Sequence, residues 1–271
     1  MAPSLTSTTT MPRYPDRRSN ATSRRAEGPT RRKAAGPSLR RQGPWKHGEI
    51  PVIGLVGGIG AGKSLVAEQL IQHGAVVLDA DRIGHALLDQ TPARDEVVAR
   101  FGPEVLVPGD PPRIDRQVLG AIVFADPICL RALEAILHPK MRATFEKAIR
   151  RTVRKGQATA VVLDAAVLFE AGWNNLCDLV AFVDAPADQR HARLLAERGW
   201  TAQQIAARER AQLPLDEKRR RAGAVLINDA GPEALNDLVA RFWDHELRTF
   251  RPTPKPRASR GEPGRPARDH S

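Results

Sequence analysis

Residues 52–70, VIGLVGGIGAGKSLVAEQL, place a strand, a glycine-rich turn and the start of a helix back to back, and no other stretch restricts the fold as tightly. Val52 to Val56 is an apolar run of strand length. Gly57, Gly62, Lys63 and Ser64 then satisfy the spacing G-x-x-x-x-G-K-[ST], and Leu65, Val66, Leu70 and Ile71 recur at helical intervals. The spacing suits a polyphosphate. A glycine-rich chain turns sharply enough to aim successive backbone N–H groups at several negative charges, and the positive end of the following helix adds to that field. Lys63 is expected to reach the β and γ phosphates, and the Ser64 hydroxyl to join the coordination of Mg²⁺. The fold that carries such a loop is α/β, with three layers around a parallel sheet.

The strands that follow support this architecture. Ala75 to Asp79 (AVVLD), Thr159 to Asp164 (TAVVLD), Leu179 to Asp184 (LVAFVD) and residues 224–228 (AVLIN) are short apolar runs, giving five strands with the first. Three of them end in Asp. Ligands of open α/β sheets gather at the carboxyl ends of the strands, so Asp79, Asp81 and Asp164 are expected near the phosphate loop. Asp81 is the expected general base for an attacking hydroxyl, its alternative being an N-cap for the helix that Arg82 to Leu88 suggests. Asp164 is open between a metal-side carboxylate and a structural turn residue.

Residues 83–155 read as a mainly helical insert between the second and third strands, interrupted by a proline- and glycine-rich turn over 102–112. An insert of this kind shapes an acceptor pocket or simply covers the sheet. His138, before Pro139, reads more readily as a core histidine than as a catalyst. Residues 187–221 are helical and strongly charged, with Arg190, Arg193, Arg198, Arg208, Arg210 and Lys218 among their bases. They are expected to form a lid whose arginines close over the transferring phosphate and expel water, the alternative being a solvated helix pair.

The formal charge of +11 suggests a nucleic-acid binder until it is divided along the chain. Residues 1–48 carry +9 and residues 248–271 carry +5, which leaves the part between them near −3. That distribution gives no basic footprint to the folded part, so nucleic acid is expected at most as a weak ligand of the tails. Both tails are rich in Arg and Pro and poor in apolar periodicity, and are expected to be disordered. No apolar segment follows the arginine pairs of the first tail, which removes an export signal, and its prolines break up a targeting helix. Two cysteines, Cys129 and Cys177, make no disulfide framework and suit a reducing cytoplasm. No run of 18 apolar residues predicts a membrane span.

Several segments together resemble the dephospho-CoA kinase family: GLVGGIGAGKS, VVLDADRIGHALL, IDRQVLGAIVFADP, LEAILHP, LDAAVLFEAG, LVAFVDAP, AQLPLDEK and VLINDAG. The resemblance runs from about Pro51 to Leu247. It implies transfer of the ATP γ-phosphate to the ribose 3′-hydroxyl of dephospho-CoA, with Mg²⁺, in the cytoplasm. It also implies an ATP loop over Gly60, Ala61, Gly62, Lys63, Ser64 and Leu65, a catalytic aspartate at Asp81 and a lid arginine at Arg193, with Arg198 beside it. Leu65 stands where the family usually has Thr, and the segment from Asp164 to Glu170 lacks the family's proline. A nucleoside or nucleotide kinase is the alternative within enzymes. A GTP-gated switch would need an N-K-x-D segment, which the sequence does not contain.

Overall fold

In a computed structural model, which describes residues 45–247, the chain begins β1 (Val52–Gly57), α1 (Lys63–Gln72), β2 (Ala75–Asp79), α2 (Ala80–Leu88) and α3 (Thr91–Phe101). A hairpin of β3 (Leu106–Val107) and β4 (Arg113–Ile114) follows, then α4 (Arg116–Ala125), the long α5 (Pro127–Lys155) and β5 (Ala160–Asp164). The chain continues through β6 (Leu179–Asp184), α6 (Ala187–Arg198), α7 (Ala202–Arg210), α8 (Leu215–Arg221), β7 (Ala224–Ile227) and α9 (Pro232–Arg241), and ends in a π-helical turn, Phe242–Leu247.

Five of these strands form one parallel sheet in the order β2-β5-β1-β6-β7. The central β1 is buried along its whole length, which is why its sequence is continuously apolar rather than alternating. Its side chains divide between two cores. Ile53 and Leu55 pack with Val66 and Leu70 of α1 and with Leu235 and Val239 of α9, while Val52 and Val56 join Leu78, Leu163, and Phe145 and Ile149 of α5. The sheet is therefore sandwiched between helices, as the three-layer expectation requires.

The predicted insert is the run from α2 to α5, lying between β2 and β5, and the turn-rich stretch over 102–112 leads into and through the β3–β4 hairpin. Local signals set its helices. Asp115 caps α4 by accepting from the Gln117 and Val118 amides, and Asp126 caps α5 by accepting from Ile128 N at 2.8 Å. Gly156, in the left-handed region at φ 63°, ends α5. His138 packs edge-on against Trp173 at 5.0 Å between ring centroids, and burial lowers its pKa, which agrees with a core role. Among the described residues no helix is long and apolar enough to cross a membrane.

One boundary needs correction. The first tail was expected to run through residue 48, but Trp45 is buried, Lys46 N donates to Asp178 Oδ1 at 2.8 Å, and His47 Nε2 donates to Leu176 O at 2.8 Å. An aromatic ring and two polar anchors fasten these residues beside β6, so the ordered chain starts before residue 49. The remainder of that tail and the tail over 248–271 lie outside the described residues.

Candidate active site

The phosphate loop is the bend between β1 and α1. Gly62 is the N-cap of α1 in the left-handed region, φ 89°, and caps the helix with no side chain, so the amides of Lys63, Ser64 and Leu65 begin the helix without carbonyls a turn behind them. These are the donors an anion needs. A Cβ at Gly62 would stand 2.3 Å from Asn228 Nδ2, so the position excludes any side chain on steric as well as conformational grounds. Ala61 differs from its neighbours. Its amide already donates to Gly58 O at 3.1 Å, its carbonyl accepts from Asn228, and its side chain is buried, which makes it a frame for the loop. Lys63 Nζ folds back over the same loop, 3.4 Å from Gly57 O and 3.3 Å from Gly58 O. Burial lowers its pKa, against which the nearby Asp164 and Asp81 carboxylates pull upward.

Opposite the loop stand the acidic strand ends. Asp164 is the register partner of Asp79 across β5 and β2, and of Leu55 on β1, so it sits between the phosphate strand and the edge strand. Burial pushes its carboxyl up to about 6; Lys63 opposes the rise, and Asp79 and Asp81 add to it. The two aspartates of the D-A-D step have separate roles. Asp79 is the N-cap of α2, accepting from Arg82 N at 2.9 Å, whereas Asp81 lies exposed in the first turn of that helix. The N-cap function weighed for Asp81 therefore belongs to Asp79. Asp184, the third strand-end aspartate, pairs with Arg219 of α8 and is occupied there.

The helices after β6 close the third side. Arg193 Nη1 donates to Gly60 O at 3.3 Å and its Nη2 to Gln189 Oε1 at 3.3 Å, which sets its guanidinium against the loop. Arg190 is 5% exposed and donates through Nη1 to Ile59 O at 3.1 Å and to Glu209 Oε1 of α7 at 2.7 Å. It lies so close under the loop that a Cβ at Gly58 would meet Nη1 at 2.8 Å. A small cavity of about 190 Å³ borders this arginine and Gly58. A larger one, about 510 Å³, lies between β2 and the second half of α5, and neither the phosphate loop, the strand-end aspartates nor the α6–α8 helices line it.

Lys218, counted in the sequence among the bases of a solvated or lid helix, is instead wholly buried. Its Nζ reaches Ala166 O at 2.6 Å, Gln212 Oε1 at 2.9 Å and Glu170 Oε1 at 2.9 Å, and burial lowers its pKa while Glu170 raises it. Leu213 N donates to the same Glu170 oxygen at 2.8 Å. Ala166 follows Asp164 by two residues, so this lysine fixes the turn after β5 that lacks a proline. The structure brings Lys63, Asp81, Asp164 and Arg193 around one loop. Sequence reading assigned no role to Asn228, to Arg190 as a loop support, or to Lys218 as an anchor. Asn228 and Lys218 lay in the resembling segments VLINDAG and AQLPLDEK and Arg190 in a charged run, but none of these signals carries a structural role.

A loop of this geometry at the head of a parallel sheet, faced by strand-end carboxylates on one side and arginines on the other, defines a P-loop kinase. The sequence model of the dephospho-CoA kinase family matches residues 51–233. The chain is 43% identical over 193 residues to the dephospho-CoA kinase of Symbiobacterium thermophilum, covering 71% of this chain and 80% of that protein. It is 44% identical over 192 residues to the Anaeromyxobacter dehalogenans enzyme of the same name, covering 70% and 90%. A crystal structure from Thermus thermophilus superposes with a TM-score of 0.60 at 37% identity, covering 73% of this chain and 99% of that one. The dephospho-CoA kinase of Campylobacter jejuni shares the fold, with a TM-score of 0.55 at 23% identity over 73% and 97%. The chain belongs to the dephospho-CoA kinase family.

Proposed function

We propose that this kinase transfers the γ-phosphate of ATP to the ribose 3′-hydroxyl of dephospho-CoA, giving coenzyme A and ADP. Family membership over nearly the whole described chain carries the choice of acceptor. The division between Asp79 and Asp81 supports the choice of base: one carboxylate is spent on a helix cap and the other is free at the cleft. The 3′-oxygen attacks the γ-phosphorus, Asp81 takes its proton, and the bond from that phosphorus to the β,γ-bridging oxygen breaks, leaving ADP. The amides of Gly60, Gly62, Lys63, Ser64 and Leu65 hold the phosphates, Lys63 unfolds from its own loop to reach them, and Arg193 steadies the charge on the equatorial oxygens. Leu65 contributes only its amide, since it has no hydroxyl.

Ser64 and Asp164 fit a divalent cation in kind and number. Both offer hard oxygen, one at the open helix start and one facing Lys63, and two protein donors are what Mg²⁺ takes when nucleotide and water supply the rest. When bound, Mg²⁺ would neutralise charge on the β and γ oxygens. Helices α6 and α7 form the lid of this reading, with α8 its fixed base because Lys218 locks α8 to the turn after β5. Residues 83–155 line the acceptor side. Basic tails add at most a weak affinity for nucleic acid, and the cytoplasm is the compartment that suits the substrate and the reduced cysteines.

ADP release from ATP and Mg²⁺, with dephospho-CoA, AMP and uridine offered separately, tests the reading. Turnover confined to dephospho-CoA is expected. Turnover of AMP or uridine without dephospho-CoA would make the protein a nucleotide or nucleoside kinase.

A further inference from the structure

Four side chains beyond the phosphate loop form a column that the reaction as described leaves unused. The Arg208 guanidinium carbon lies 4.2 Å from the Trp200 ring centroid and 4.7 Å from that of Phe124, and the Arg198 guanidinium carbon lies 5.1 Å from Trp200. All three distances fall within the range where a cation is drawn to a ring face. The members come from different parts of the chain: Phe124 from α4 in the insert, Arg208 from α7, Trp200 from the link between α6 and α7, and Arg198 from the end of α6. Among the described residues neither Arg198 nor Arg208 has a carboxylate within ion-pair distance. Their charges are therefore held by aromatic rings. Phe124 is 48% exposed, an apolar ring offered to the lid. At the other end, Arg198 closes α6, the helix whose Arg193 donates to Gly60 O of the phosphate loop.

We propose that Phe124, Arg208, Trp200 and Arg198 form a clamp that ties the α6–α7 lid to the acceptor insert, with Phe124 and Arg208 as its positioning residues. The inference rests on the reading of α6–α7 as a lid in the proposed kinase. Because the clamp joins insert to lid, the arginines of α6 are held over the phosphates by the same segment that carries the acceptor. Releasing it admits water. A water oxygen then takes the place of the 3′-oxygen, attacks the γ-phosphorus, and breaks its bond to the bridging oxygen. ADP and inorganic phosphate leave, with the water's second proton released to solvent at neutral pH.

The test uses the full chain with Phe124→Ala, Phe124→Tyr and Phe124→Leu. Losing the ring should slow transfer to dephospho-CoA by roughly three- to tenfold, the range of a partly exposed cation–π contact. It should also raise the ADP formed per coenzyme A above the wild-type ratio, with ATP affinity and Tm close to wild type. Tyr should restore the ratio and Leu should not, because Leu supplies bulk without a ring face. Equal ratios in all three variants, or Leu acting as well as Tyr, overturn the clamp. A readout independent of the acceptor separates this from the functional reading: trypsin cutting between residues 198 and 210 should be several-fold faster in Phe124→Ala. Unchanged cutting overturns the clamp whichever acceptor the wild type uses, while failure of the wild type on dephospho-CoA with faster cutting in Phe124→Ala overturns the acceptor alone.

Discussion

Asn228, just past β7, donates from Nδ2 to the Ala61 carbonyl at 2.9 Å, so the last strand of the sheet holds the crown of the phosphate loop across 167 residues of sequence. The side chain is 4% exposed, and its amide group fills the space that a side chain at Gly62 would need. Asn228→Ala leaves a buried carbonyl without its donor, a loss of about 1–3 kcal/mol. Calorimetric titration with ATP should show weaker binding alongside a lower Tm. Asn228→Asp should bind more weakly still, because it brings a carboxylate to the carbonyl and to the phosphates. ATP affinity at the wild-type level in both variants would show that the loop keeps its shape unaided.

The D-A-D step allows a sharper comparison. Asp79→Ala removes a helix cap and should cost about 1 kcal/mol of stability with transfer slowed only a few-fold. Asp81→Asn keeps the shape and removes the base, and should lower kcat by roughly 10²–10⁴-fold with ATP affinity intact. Steady-state kinetics beside thermal melts decide it. The opposite pattern would move the base to Asp79.

Local spacing explains what was legible in the sequence and what was not. The phosphate loop, its strand and its helix occupy consecutive residues, so their geometry follows from glycine placement alone. The strand-end aspartates were visible for the same reason. Asp81 was the expected base, but which aspartate caps the helix was not legible, since it depends on where β2 stops: the helix starts at Ala80, turning Asp79 into the cap and placing Asp81 in the first turn. Arg219, contributed from 35 residues away, takes Asp184 out of the set. Lys218 was hidden because a lysine in a run of arginines reads as solvent-facing, and only the fold brings Glu170 and Ala166 to it.

Asp164 predicts a pH dependence of the metal-free protein. Its carboxyl sits at about 6 in the fold against an ordinary value of 3.8, because burial disfavours the charge. Between those values the folded protein holds the proton more readily than the unfolded chain, so this group's contribution to stability falls as pH rises from about 4 to about 6. Asp164→Asn removes that loss. Melting curves should nearly parallel the wild type below pH 4 and show the variant gaining in relative Tm up to about pH 6, with the gain constant above. Added Mg²⁺ and ATP should reverse the order at neutral pH, since the ionised wild-type carboxylate is then stabilised by the cation. A variant without relative gain over that range would assign the carboxylate an ordinary pKa.

Lys218 and Glu170 predict coupled loss. The lysine is 0% exposed and its Nζ serves three oxygens, one of them the carbonyl of Ala166, while Glu170 also receives the Leu213 amide. Lys218→Met preserves much of the volume but strands a carboxylate with 18% side-chain exposure, and should destabilise by about 3–5 kcal/mol. Adding Glu170→Gln removes the stranded charge, so the double variant should be more stable than Lys218→Met alone. Its turn after β5 still lacks the Ala166 tether two residues from Asp164, and kcat should stay well below wild type even where urea melts show the fold recovered. Recovery of stability and kcat together would mean that the lysine neutralises Glu170 and does not position the strand end.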